Sequence, residues 1–262
     1  MEFQAYNVLV IAADIRPLDQ ISYTPAPDII HEAAGHAPII ADAQYASYLR
    51  EFGKTGSKAF ASVFDDQIYA AIRHLSILKA DPYSSKESIE KAEFELDVLS
   101  KASSGPSEMA LLRNLHWWTV EYGLIGEIEN PRIYGAGLLS SIGESYSCLQ
   151  DSVRKLPYTL EAQNVNFDIT TRQPQLFVTP DFDELNKVLN TFTSGMAVRK
   201  GGLTGVRKAV NSANLSTIQY TSGIQASGIL SHVIEFNDQP AYLSFKGPTI
   251  LCLNNELIPG HD

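Results

Sequence analysis

The chain has 262 residues, of which 44% are hydrophobic and 19% are charged, which is typical of a folded globular protein and argues against disorder. Its formal net charge of -10, without a clear basic patch, argues against binding to nucleic acid. No apolar run is long enough to span a bilayer, and Cys148 and Cys252 form no cysteine framework, so we expect a cytoplasmic protein that does not bind membranes.

The first part of the sequence predicts one strand followed by two helices. Residues 6–12 form a β-branched apolar run that is typical of a buried strand. The first helix should run through IIHEAA and end at Gly35, and Pro38 should prevent its continuation. A second helix is predicted over residues 41–52, closed by Gly53.

The middle of the sequence is predicted to be mainly helical. Two runs within residues 54–105 have apolar residues at helical spacing and are separated by Asp81-Pro82, which predicts an inserted helical hairpin. Further helices are predicted over about 107–122, in GAGLLSSIGESYSCLQ and over about 181–193, with a strand at 175–179.

The C-terminal part has a different pattern. From residue 216 onward the segments are β-like, and Asn237-Asp238 is typical of a hairpin turn. We therefore predict a mainly α fold with small β elements, an α+β protein. Its domains would be a mainly helical domain over residues 1–200, which contains the 54–105 hairpin, and a β-rich extension over residues 201–262.

Three residues have side chains suited to a metal site. His31 and His36 lie five residues apart in HEAAGH, and Glu121 lies in the apolar segment HWWTVEYG. On an ideal α-helix a five-residue step separates two side chains by about 140°, so the histidines could share a metal only if the helix ended between them. This spacing disfavours an HExxH zinc protease. Two imidazoles and one carboxylate form the facial triad of non-haem Fe(II) oxygenases, although Zn²⁺ accepts the same ligands.

Three motifs, in this order, resemble segments of the pterin-dependent aromatic amino acid hydroxylases: YTPAPDIIHEAAGHAPIIAD, WWTVEYGL and YGAGLLSSIGE. The resemblance covers roughly residues 6–53 and 113–200 and is strongest to phenylalanine hydroxylases of the bacterial type. It implies a hydroxylase-like catalytic domain and an oxidoreductase of aromatic amino acid metabolism. This monooxygenase would use Fe(II), O₂ and tetrahydrobiopterin or a related reduced pterin to convert L-phenylalanine to L-tyrosine. The alternatives are a tryptophan hydroxylase and a non-catalytic module that binds iron and an amino acid.

The resemblance also implies a role for each matching residue. The iron ligands and catalytic centre would be His31, His36 and Glu121. The residues implied to bind the amino acid are Arg16, Thr24, Pro27, Trp117, Tyr122, Gly137 and Ser140. A planar guanidinium such as that of Arg16 can grip a carboxylate through two hydrogen bonds. The residues implied to contact the pterin are Glu32 and His116, and those implied to support the ligating histidines are Asp28 and Glu144.

Some features depart from the family pattern. The aromatic loop that stacks on the pterin is expected upstream of Arg16 and is not recognised in the sequence, and His116 stands where the family usually has tyrosine. These departures motivate the alternative of a binding module, against which the retained ligands argue. A Zn²⁺ hydrolase would need a general base, for which Glu32 is the obvious candidate. The sequence predicts no oligomeric state.

Overall fold

Helices dominate the described part of the chain from residue 31 to residue 212, and strands dominate after it. The computed structural model describes residues 31–102, 105–167 and 171–260. The helical elements are π1 (His31–His36), α1 (Ala37–Ile40), α2 (Ala43–Gly56), α3 (Val63–Ala80), α4 (Lys86–Ala102), α5 (Glu108–His116), π2 (Trp117–Glu121), α6 (Ala136–Ser140), α7 (Ile142–Ser147), a 3-10 helix (Leu160–Asn164), α8 (Phe182–Gly195), α9 (Ala197–Lys200) and α10 (Gly202–Ser212). None of these helices is both long and apolar enough to cross a membrane.

The strands form two separate four-stranded sheets. They are β1 (Leu124–Glu127), β2 (Asn130–Ile133), β3 (Arg154–Pro157), β4 (Gln175–Thr179), β5 (Leu215–Gln219), β6 (Ile224–Phe236), β7 (Gln239–Leu253) and β8 (Glu256–Leu257). The first sheet has the order β2-β1-β4-β3, with β4 parallel to both of its neighbours. The second is antiparallel, in the order β5-β6-β7-β8. The predicted α+β fold with a β-rich C-terminal part is thus confirmed.

The main hydrophobic core is rich in aromatic residues and lies between α2, α5, π2, α8 and the first sheet. Its largest fully buried aromatic side chains are Trp118, Tyr45, Tyr48, Tyr122 and Tyr134. The hydroxyl of Tyr48 hydrogen-bonds the hydroxyl of Thr119 in π2 at 3.1 Å. Burial raises the pKa of Tyr48 to about 12, although its hydrogen bond to Thr119 acts in the opposite direction. This buried contact therefore holds π2 against the core.

A buried carboxylate ties the C-terminal part to the helical core. Glu108, at the start of α5, accepts hydrogen bonds from the backbone N–H of Ala197 at 2.7 Å and of Phe60 at 3.2 Å. Its Oε1 also forms an ion pair of 2.7 Å with Lys208 of α10. Because a carboxylate this deeply buried needs partners, these contacts stabilise the packing of α9 and α10 against the start of α5.

Two predicted helix ends were wrong. Gly35 does not end the first helix, since π1 continues directly into α1, and Pro38 lies in the first turn of α1, where a missing N–H costs nothing. Gly53 does not close the second helix, which continues to Gly56 because Phe52 and Thr55 are buried beneath it. In both places tertiary packing overrides the local preference of glycine for a helix end.

The structure agrees with the predicted hairpin turn and with the two predicted hairpin helices. Asn237 and Asp238 join β6 to β7, both with positive φ (51° and 58°), as expected for a two-residue hairpin turn. Helices α3 and α4 occupy the segment predicted to be a helical hairpin and pack against each other. That this hairpin is an insertion, and that domains divide at residue 200, stay predictions.

Candidate metal centre

Three predicted ligands, from two distant parts of the chain, converge at one point. The Nε2 atoms of His31 and His36 lie 3.1 Å apart. Each lies 3.4 Å from one carboxylate oxygen of Glu121. Ligand atoms bound at about 2.1 Å from one ion, with angles of 90–110°, are themselves roughly 3.0–3.4 Å apart. The three ligand atoms are therefore spaced as they would be around a transition-metal ion such as Fe(II). Among the described residues, these three side chains are the group of His, Cys, Asp or Glu that could hold a metal ion.

The two histidines share one face because of the local helix type. Residues His31–His36 form a π-helix, in which each N–H bonds the carbonyl five residues earlier. Residues five apart therefore lie about one turn apart, whereas on an α-helix they would diverge. Both imidazoles thus point toward the same place without the helix end that the sequence suggested. Glu121 also lies on a π-helix, at the last residue of π2.

Glu121 brings a negative charge to the two imidazoles. Burial alone would raise its pKa, but hydrogen bonds and charge interactions with His31 and His36 outweigh it and lower the pKa to about 2. The carboxylate is therefore ionised at neutral pH. A mostly buried, ionised carboxylate facing two imidazole nitrogens is an electrostatic environment that favours a cation.

Ser140 contacts the opposite side of the His31 ring. Its Oγ lies 2.8 Å from Nδ1 of His31, whereas Nε2 faces the other two ligands. A hydrogen bond at Nδ1 fixes the orientation of a metal-binding imidazole and leaves Nε2 available for the ion. The family resemblance instead implies this supporting role for Asp28 and Glu144 and a substrate contact for Ser140, which stays a prediction.

The start of α6 holds the two ligand-bearing helices together. A Cβ added to Gly35 would lie 2.6 Å from the carbonyl oxygen of Ala136, and one added to Gly135 would lie 2.5 Å from the carbonyl oxygen of Glu121. Both distances are too short for any larger residue without displacement of the backbone. Glycine at these two positions therefore lets π1 and the end of π2 pack closely against one short helix.

Aromatic rings flank the centre on the π2 side. Trp117 stacks on Phe167 with ring centroids 4.2 Å apart and planes 8° apart, and Tyr122 lies 5.6 Å from Trp117. The guanidinium of Arg113 lies 5.9 Å from the centre of the Phe167 ring. Phe167 was not recognised in the sequence because it lies far from all three motifs and has no periodic pattern around it.

Two side chains of the α5–π2 segment hold the backbone that leads to Phe167. Asn114 donates from Nδ2 to the carbonyl of Gln163, and Trp118 donates from Nε1 to the carbonyl of Val165, both at 2.8 Å. The helix that carries Glu121 therefore also positions the loop that packs on Trp117.

Comparison with known proteins agrees with this geometry. The profile of the family described as biopterin-dependent aromatic amino acid hydroxylase matches residues 2–68 and 87–201, which is more than half of the chain. The chain belongs to this family. Residues 69–86, at the end of α3 and the start of α4, lie outside the match.

Individual relatives share about three residues in ten with the chain. Phenylalanine-4-hydroxylase of Dictyostelium discoideum is 29% identical over 72% of the chain and 33% of the relative. That of Rattus norvegicus is 30% identical over 72% and 32%. That of Chromobacterium violaceum is 31% identical over 65% and 43%. The chain thus spans about a third to two fifths of the length of these relatives.

A solved structure of Chromobacterium violaceum phenylalanine hydroxylase, with bound iron(III) and 7,8-dihydrobiopterin, is also similar. It is 27% identical in sequence, with a TM-score of 0.44. The similarity covers 67% of this chain and 48% of that one.

The remaining residues implied by the hydroxylase family lie in several settings. His116 is half-buried with its ring 4.8 Å from Phe52, burial lowers its pKa, and its buried Nδ1 has no hydrogen-bond partner among the described residues. Glu32 is exposed on π1, whereas Gly137 and Glu144 are buried in α6 and α7. The positions that lie outside the described residues are Arg16, Thr24, Pro27 and Asp28.

Proposed function

We propose that the chain is a non-haem Fe(II), tetrahydropterin-dependent monooxygenase that converts L-phenylalanine to L-tyrosine. The observation that carries this proposal is the convergence of His31, His36 and Glu121 at distances suited to one ion, in a member of the hydroxylase family. The names of the curated relatives support phenylalanine as the substrate. Within this family the two-histidine, one-carboxylate set favours iron over a zinc hydrolase site.

The protein would hold the metal on one side only. Nε2 of His31, Nε2 of His36 and the carboxylate of Glu121 would be the ligands, and Ser140 would keep the His31 ring in place. Three protein ligands leave further positions on the ion for O₂ and water. Bound iron, together with a reduced pterin, would supply the activation of O₂ for ring hydroxylation.

The aromatic side chains would position the substrate ring. Trp117, which is half-buried and backed by Phe167, would present a rigid apolar surface, and the fully buried Tyr122 would pack beside it. Such a surface would orient the ring toward the metal and exclude water from it. We propose Arg16 for the substrate carboxylate, and Glu32 and His116 for the pterin side.

Other family-derived assignments complete the proposal. Thr24, Gly137 and Ser140 would surround the polar end of the amino acid, with Pro27 beside its ring. The support of the ligating histidines from Asp28 and Glu144 also stays a prediction. A cytoplasmic location is proposed because Cys148 and Cys252 are free thiols.

The test is tyrosine formation from phenylalanine with Fe(II), tetrahydropterin and O₂, measured beside iron content. Glu121→Ala should lose stoichiometric iron and lose product. Glu127→Ala, which removes an exposed carboxylate from the adjacent β1, is the matched control and should retain both. Iron binding that is equal in the two variants would contradict the ligand assignment.

The substrate is tested separately by offering tryptophan in place of phenylalanine. Hydroxylation of tryptophan in preference to phenylalanine would overturn the proposed substrate but retain the reaction class. Iron and amino acid binding without product from either substrate would overturn catalysis in favour of a binding module.

A further inference from the structure

The second sheet has one covered face and one exposed face. Ala226 and Leu230 of β6 are buried on the side that faces α10. Glu235 lies on the same side, since both of its carboxylate oxygens pair with Arg207 of α10 at 2.6 Å. Side chains alternate along a strand except where its register shifts, as β6 does between Leu230 and His232, and directly paired residues point to the same face. The pairing register therefore assigns the neighbouring positions to the opposite, outer face.

This outer face is apolar and exposed. In the register, Leu215 pairs with Ile229, Ile234 pairs with Tyr242, and Ser227 pairs with Ile250. Its exposed large apolar residues are Leu215 (75%), Ile229 (37%), Ile234 (51%), Phe236 (70%), Tyr242 (58%) and Ile250 (39%). With about 200 Å² for each fully exposed side chain, these residues present roughly 650 Å² of apolar surface. Specific protein interfaces bury at least about 600 Å² on each partner, so the area reaches the lower end of the range for a stable contact.

This face also differs in charge from the protein as a whole. The whole chain carries a formal net charge of -10. Among the described residues of the outer face we find no carboxylate, and its basic side chains are those of His232 and Lys246, whose paired positions place them there. Two copies of an acidic chain repel each other over most of their surfaces, but here they could approach without burying a negative charge.

We propose that this face is a dimer interface, on which a second copy packs its own β5–β8 sheet about a two-fold axis. A two-fold contact requires a patch that is complementary to itself, and a flat apolar sheet face meets that requirement. The family match ends at residue 201, so the sheet lies outside the matched region. The proposal does not depend on the catalytic activity.

The test measures the mass of the full chain in solution by light scattering after gel filtration. We expect a dimer, and the paired substitution Ile234→Lys with Tyr242→Lys should weaken it at least tenfold, giving a monomer. The control is Phe94→Lys with Val98→Lys on α4, which adds the same two charges at exposed apolar positions and should leave the dimer intact. Because both variants become less acidic, a general charge effect cannot explain a difference between them.

A second double variant tests whether loss of the dimer in the first one results from misfolding. Ile234→Thr with Tyr242→Thr retains strand-forming side chains and should also give a folded monomer, as judged by circular dichroism. A wild-type protein that is monomeric up to about 100 µM would overturn the proposal. So would a dimer that survives both paired substitutions in a folded protein.

Discussion

The hydroxyl oxygen of Ser140 lies 2.8 Å from Nδ1 of His31, the imidazole nitrogen that faces away from the other two ligands. Because this contact fixes the ring, Ser140→Ala should lower metal affinity by about 10- to 100-fold. Competition with a chelator, followed through the absorbance of bound Co(II), measures this directly. Ser145→Ala is the control, since the Ser145 hydroxyl donates to a nearby carbonyl, that of Ile142 at 3.1 Å. Equal affinities in the two variants would show that Ser140 does not support the site.

Gly35 and Gly53 should respond in opposite directions to the same substitution. Gly35→Ala would force a methyl group to within 2.6 Å of the Ala136 carbonyl oxygen, so we expect a loss of about 1–3 kcal/mol in the free energy of unfolding. Gly53→Ala meets nothing within 4 Å and lies within α2, so it should stabilise the protein by about 0.5–1 kcal/mol. Urea unfolding of both variants checks the signs. A neutral Gly35→Ala would contradict the close packing of π1 on α6.

Phe167 should act through the ring of Trp117. Phe167→Leu removes a stacked pair, worth about 0.5–1.5 kcal/mol, that holds Trp117 in place. If Trp117 forms the proposed substrate wall, the dissociation constant for phenylalanine should rise roughly 2- to 12-fold, as measured by calorimetry. Phe94→Leu, at an exposed position on α4, should leave it unchanged. A change in Trp117 fluorescence without a change in affinity would separate Trp117 from the substrate site.

Tyr48 should make the protein sensitive to alkaline pH. Its folded-state pKa is raised by burial from 10 to about 12, so the unfolded chain releases this proton first. The stabilising contribution is complete below pH 10 and is lost as the pH rises toward 12, by about 2–3 kcal/mol in total. The free energy of unfolding of Tyr48→Phe should therefore fall less steeply above pH 10 than that of the wild type.

The matched control for this titration is Tyr83→Phe, at a tyrosine that is 93% exposed. Its pH dependence should equal that of the wild type in urea unfolding at pH 9, 10 and 11. Identical slopes for all three proteins would mean that Tyr48 ionises in the folded state as it does in the unfolded state.

Much of the site could be predicted because its chemistry lies in short motifs. His31, His36 and Glu121 were recognised from residue type and order, and the structure brings them together. The reason for their alignment was not predicted, since α-helical periodicity separates residues five apart and nothing local marks a π-helix. Phe167 was missed for a related reason: it reaches Trp117 only through tertiary packing of the loop after the 3-10 helix.

The fold was predictable where one strong local signal dominates. Asn237-Asp238 specifies a tight hairpin because both residues tolerate positive φ. The helix end predicted at Gly53 was wrong because neighbouring side chains are buried against α8. This burial extends α2 past Gly53. The apolar outer face of the second sheet could not be inferred either, because a strand pattern does not show which side will be covered.

The π-helix at His31–His36 has a consequence for how such a site arises or disappears in a gene. Loss of the single codon for Gly35 would change HEAAGH into HEAAH, the four-residue spacing at which two histidines share a face of an ordinary α-helix. The same deletion would remove the glycine that fits against α6. A one-codon change in length, rather than any exchange of side chains, thus separates this arrangement from the sequence signature of a different class of metalloenzyme.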